Sequence, residues 1–141
     1  MHMTGTALLI RELTGMLRGA GLIVYPEFGR NALPLPEDAC FITVGAESMS
    51  LQRCIAESTV PVSIALRVRI HTKPMLNAEI SENAVQTVLD TLLPVCNPES
   101  AAVFAPVYQK PLDRFVAELH LQIDGLLTAE EQGGDGLADA T

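Results

Sequence analysis

Three stretches of this 141-residue sequence predict an α+β domain: a mainly antiparallel or mixed β-sheet with two amphipathic helices packed on one face. The first is Val62 to Thr72, VSIALRVRIHT, in which Ile64, Leu66, Val68 and Ile70 alternate with Arg67, Arg69 and His71. Alternation of this kind is the signature of a half-buried strand. The second, Arg114 to Asp124, RFVAELHLQID, repeats it with Phe115, Ala117, Leu119, Leu121 and Ile123 against Glu118, His120 and Gln122. Between them Glu79 to Leu93 carries Ile80, Ala84, Val85, Val88, Leu89 and Leu92 along one helical stripe. If the two strands are neighbours, Arg67 and Arg69 face Glu118 across the solvated side and help set the register.

The remaining elements follow from local chemistry. Thr6 to Arg18 places Leu9, Ile10, Leu13, Met16 and Leu17 at helical spacing, with Thr4 or Thr6 to cap it and Gly19 or Gly21 to stop it. Gly15 weakens this helix by about 1 kcal/mol relative to alanine, so packing onto the sheet must sustain it. Leu22 to Tyr25 reads as a brief strand ended by Pro26. The stretch PEFGRNALPLPED, Pro26 to Asp38, holds three prolines besides Gly29 and Asn31, and is predicted to be a long, stiff loop of the kind that carries contacts. Ala39 to Ala46 is the next strand, apolar on both faces. Glu47 to Pro61 alternates only weakly and reads as a strand or arm. Asn77 or Ser81 is positioned to cap the second helix and Pro94 to stop it. Ala101 to Gln109 is apolar and extended, and Pro106 marks it as an edge or bulged strand.

Length and patterning predict one domain over residues 4 to 128, with a disordered, acidic, glycine-rich tail over 129 to 141. A composition of 48% hydrophobic and 18% charged residues without tryptophan calls for a core of Leu, Ile, Val and Ala. The net charge of −8 argues against a surface that grips nucleic acid. Cys40, Cys54 and Cys96 show no CxxC spacing and read as buried thiols in a reducing compartment. No signal peptide and no membrane-spanning run is evident, so a soluble, cytoplasmically made protein without membrane contact is expected.

Few residues offer chemistry. His71 and His120 take outward positions on the two patterned strands, and Glu118 shares a face with His120. Such a pair suits general acid–base work or, with a third ligand, metal binding, and a small hydrolase or metal-dependent enzyme using Glu118, His120 and His71 is the alternative it raises. Against it, functional sites need a cleft and more convergent groups. GAESMS lacks the GxSxG pattern, and the glycines form neither GxGxxG nor GxxxxGK[ST]. No cofactor is therefore expected, and the weight moves from enzyme towards structural protein.

Taken together, LIVYPEFGRNALPLPEDACFITVG, SIALRVRIHTKP, SENAVQTVLDTLLP and DRFVAELHLQID resemble the loop and first long strand, the central strand, the following helix and the last strand of the tail-terminator (tail-completion) family of long-tailed bacteriophages and prophages. The resemblance covers about residues 6 to 128. It implies a non-enzymatic virion protein that forms a ring, of six subunits in that family, at the head-proximal end of the tail. Tail-tube protein and a head-completion or neck protein are the implied partners, the host cytoplasm and then the virion tail the implied locations. Another neck or tail-assembly factor is the neighbouring alternative. Subunit contacts are expected at Phe28, Arg30, Leu33 and Leu35 in the loop, at Phe41, and at Val103 and Phe104 on the apolar edge.

Overall fold

The structure, a computed structural model, describes residues 5–27, 36–51, 59–74 and 77–128. Its elements run α1 (Gly5–Gly19), β1 (Val24–Pro26), β2 (Cys40–Leu51), β3 (Thr59–Thr72), α2 (Ala78–Cys96), β4 (Ser100–Gln109) and β5 (Arg114–Thr128). The strands form one mixed sheet in the order β1-β2-β3-β5-β4, with β1 parallel to β2 and the other pairs antiparallel. This is the expected α+β fold. Residues 28–35 of the predicted loop and residues 129–141 lie outside the described residues, as does Cys54.

The two patterned strands are neighbours in register, from Thr59 opposite Thr128 to Thr72 opposite Phe115. On the helix side, Ile64, Leu66, Val68 and Ile70 of β3 join Ile42 and Val44 of β2 and Ala117, Leu119 and Leu121 of β5. Leu13 and Leu17 of α1 and Ala84, Val88 and Leu92 of α2 close this layer from above. Each leucine or isoleucine so removed from water contributes roughly 1.5 to 3 kcal/mol before chain entropy is counted.

Local signals set the helix ends. Gly21, at φ 94°, takes the left-handed turn that ends α1, where Leu22 N–H donates to the Leu17 carbonyl at 3.2 Å. Asn77 caps α2, its side-chain oxygen accepting from Glu79 N–H at 2.9 Å. Pro94, expected to stop this helix, sits inside it. The helix runs on to Cys96 and is closed by Asn97 in the left-handed region, whose N–H donates to the Leu93 carbonyl at 2.9 Å. A proline near a C-terminus removes one N–H donor without preventing a cap beyond it.

Within the segment from Glu47 to Pro61, the described residues, 47–51 and 59–61, are strand. β2 continues to Leu51 through a bulge between Ala46 and Ser48, and β3 starts at Thr59, so these two long strands form an antiparallel pair. A one-residue bulge breaks period two, which is why the alternation looked weak there. Pro106 lies, as its chemistry requires, in an irregularity of the edge strand β4, between Phe104 and Val107.

Leu66 is fully buried at the centre of β3, whereas Val95 at the end of α2 is 56% exposed. Leu66→Ala is expected to destabilise the protein by about 3 kcal/mol and Val95→Ala by less than about 0.5 kcal/mol, read by urea denaturation. Equal effects would show that the core is not centred on β3.

Candidate functional site

Among the described residues no helix lies over the side of the sheet away from α1 and α2, and there the chain assembles charged groups. Arg67 and Arg69 project from β3, the middle strand, and are only partly exposed, so each needs a carboxylate partner. Arg69 stands directly opposite Glu118, and its Nε donates to Glu118 Oε2 at 3.1 Å. This is the pairing the alternation predicts. Arg67 differs: it stands opposite His120, and its guanidinium turns towards β2. It meets Glu27 Oε2 at 3.1 Å and Glu47 Oε2 at 3.7 Å.

Two features of β2 make that turn possible. Gly45 lies opposite Arg67, and a Cβ at that position would overlap the Glu27 carboxylate. The absent side chain is thus the space through which Glu27 reaches Arg67. Glu47 is the extra residue of the β2 bulge, which re-aims its carboxylate across β3 towards β5. There Glu47 Oε1 lies 3.3 Å from His120 Nδ1, and His120 Nε2 lies 2.8 Å from Glu118 Oε1. The result is a continuous ladder, Glu27, Arg67, Glu47, His120, Glu118 and Arg69, joining the end of β1 to β5. Phe104 of β4 packs edge-on against the His120 ring, with centroids 4.8 Å apart.

Burial pushes Glu118 upward, but the hydrogen bond with His120 and the adjacent Arg69 outweigh it and hold its carboxyl below the ordinary value. His71 is governed by burial. Only 2% exposed, its ring stacks on Phe41 at 4.5 Å, and its Nε2 lies 3.2 Å from Thr43 Oγ1. Desolvation, aided by Arg69 and Arg114, lowers its pKa to about 4 despite the opposing pull of Glu118. An open hollow of about 140 Å³ lies beside it, lined by Arg69, His71, Gln109, Leu112, Val116 and Glu118.

Of the residues offered for an enzyme, Glu118 and His120 are in contact, and His71 shares the hollow with Glu118. Their geometry is that of a tie. Both nitrogens of His120 face carboxylates, and both contacts become hydrogen bonds only when each nitrogen carries hydrogen. A general base needs a lone pair directed at substrate, and each His120 lone-pair direction is occupied by Glu47 or Glu118. Among the described residues, no group of three or more His, Cys, Asp or Glu side chains is placed to hold a metal ion.

The expected contact residues divide. Phe28, Arg30, Leu33 and Leu35 lie outside the described residues. Phe41 is interior: it is 0% exposed, with Tyr25 edge-on at 5.7 Å and His71 stacked upon it. β2 is flanked by β1 and β3, which is why its second apolar face is consumed within the chain. Val103 and Phe104, at 52% and 51%, stand exposed on the edge strand. The roles of Glu27 and Glu47 escaped the sequence reading. A signal for them was present in Gly45, since a glycine inside a strand marks a bulge or a close approach.

Two outcomes follow. Gly45→Ala is expected to cost about 1 kcal/mol in the native protein by displacing Glu27 from Arg67, and to be neutral or stabilising when Glu27 is already alanine. Equal costs in both backgrounds, read by urea denaturation, would separate Gly45 from the ion pair. Because the folded pKa of His71 lies below its unfolded value near 6.5, the unfolded chain binds the proton more tightly. Its contribution is complete above about pH 6.5, declines as pH falls and levels off below about pH 4. Between pH 7 and pH 5 this amounts to roughly 2 kcal/mol. Stability of the His71→Phe protein, followed over the same range, is expected to lack that component; an unchanged slope would assign it elsewhere.

No protein-family model matches this chain, and no curated protein matches it.

Proposed function

We propose that the protein is a ring-forming structural subunit of a long-tailed phage or prophage, a tail terminator that stops tube growth and joins tail to head. The observation that carries the reading is β4. This edge strand is ten residues long, Ser100–Gln109, without a charged side chain, and every residue from Ser100 to Tyr108 is exposed. Val103, Phe104, Val107 and Tyr108 are between 45% and 58% exposed. A long apolar edge is a liability in a protein that works alone and an asset in one that assembles.

Two further features support it. The order α1, β1, β2, β3, α2, β4, β5 follows the helix, short strand, long strands, helix and two closing strands expected of the family. A net charge of −8 suits a ring through which DNA must slide without sticking, since phosphates are repelled over about one Debye length. The ring contact is heterologous, one surface of a subunit against a different surface of the next, and closes when the rotation per subunit divides the circle. Association is weak in the free protein and strengthens on the end of a tail tube.

Light scattering and chemical crosslinking across a concentration series, with and without purified tail tubes, test this. Wild type is expected to assemble on tube ends, and a Val103→Asp, Val107→Asp variant to fail while losing no more than about 1 kcal/mol of stability, as exposed sites allow. A wild type that stays monomeric and ignores tube ends would overturn the reading.

A further inference from the structure

Besides its exposure, β4 has oppositely charged residues at its two ends and an irregularity between Phe104 and Val107. The uncharged run Ser100 to Gln109 is bounded by Glu99 at one end and Lys110 at the other. At the first end the neighbouring carboxyl of Asp124 raises the Glu99 pKa, so that end of the strand gathers acidic groups. At the other end Lys110, among the described residues, has no carboxylate within ion-pair distance.

We propose that β4 pairs in antiparallel fashion with β4 of a second copy of this chain, about a twofold axis that sets Glu99 and Asp124 of each copy against Lys110 of the other. In this register Ser100 lies opposite Gln109, Ala101 opposite Tyr108, and Ala102 opposite Val107. A twofold pair also demands that opposed residues occupy the same face of the sheet. In an unbroken strand those three pairs would be on opposite faces, since side chains alternate. The irregularity between Phe104 and Val107 corrects this. Through their partners on β5, Ala102 (opposite His120) and Val107 (opposite Val116) share one face, and Ala101 (opposite Leu121) and Tyr108 (opposite Phe115) share the other. Ser100 (opposite Gln122) and Gln109 (opposite Arg114) are matched in the same way.

Pro106 lies within the irregular step, where the β4–β5 ladder is already interrupted. Its missing N–H therefore removes nothing from the two outer segments, which supply the new ladder. The bulge that would spoil pairing with an arbitrary strand is the one that lets this strand pair with itself. Such a contact is isologous and closes at two copies. It stands on the geometry of β4 alone and does not depend on the ring proposed above; where rings form, it is a competing state of the free subunit.

Sedimentation equilibrium on the full chain, with circular dichroism to verify folding, decides the matter through a charge exchange. Wild type is expected to dimerise reversibly. Glu99→Lys and Lys110→Glu are each expected to weaken the dimer about tenfold, because each sets like charges together at both ends. The Glu99→Lys, Lys110→Glu double variant is expected to regain most of the affinity, in lower salt especially. A monomeric wild type would overturn the proposal, as would a double variant no tighter than the weaker single one. Should tube-end binding persist in a wild type that shows no dimer, the twofold pair fails while the ring reading stands.

Discussion

A pair of arginines on the middle strand of a sheet is the constraint from which the uncovered face follows. Arg67 and Arg69 are each flanked by strands on both sides and are only partly exposed. A guanidinium so placed, deprived of much of its hydration, is costly without carboxylates. β5 supplies Glu118 directly opposite Arg69. Nothing opposite Arg67 can serve, since His120 is there, and the chain solves the problem from the other side, with Glu27 brought in over Gly45 and Glu47 lifted in by a bulge. Each exposed pair in isolation would contribute little. As a connected set they fix where β1 ends, which residue of β2 bulges and how β2 and β5 stand across β3.

The apolar side of the same strand does the complementary work. Ile64, Leu66, Val68 and Ile70 give the helices one continuous surface, and α1 and α2 cover it. β4 is the outermost strand and stays exposed on both faces. Tyr108 closes its turn by donating to Asp113 Oδ1 at 2.7 Å, with Asp113 at φ 51°. The strand is thus well anchored to β5, while among the described residues no strand pairs with its outer edge. An ordered edge of this kind associates at lower entropic cost than a segment that must fold on binding.

The long periodic elements were legible in the sequence because one rule acts along their whole length: period two in β3 and β5, and in α2 a helical stripe of Ile80, Ala84, Val85, Val88, Leu89 and Leu92, of which Ala84, Val88 and Leu92 are buried and the other three half-buried. The neighbouring of β3 and β5 and the Arg69–Glu118 contact followed from the same alternation. What was not legible depends on breaks in a rule. The bulge at Glu47 hid the continuation of β2, since one extra residue shifts every later side chain to the opposite face. Phe41 looked like an interface residue because a strand apolar on both sides reads alike whether its second face meets a neighbour or, as here, Tyr25 and His71 of its own chain. His71 itself looked like a solvated polar group; stacking on Phe41 made it interior.

The central claim is that the β4 edge is completed by another protein chain rather than left to water. Amide hydrogen exchange from Ala101 to Tyr108, measured over a range of protein concentrations, tests it most directly, because outward-facing N–H groups on a free edge exchange readily. Protection in β4 that rises with concentration, while β3 stays unchanged, is the predicted result. β4 amides that exchange at the same rate at every concentration, and remain so when tail tubes are added, would contradict it.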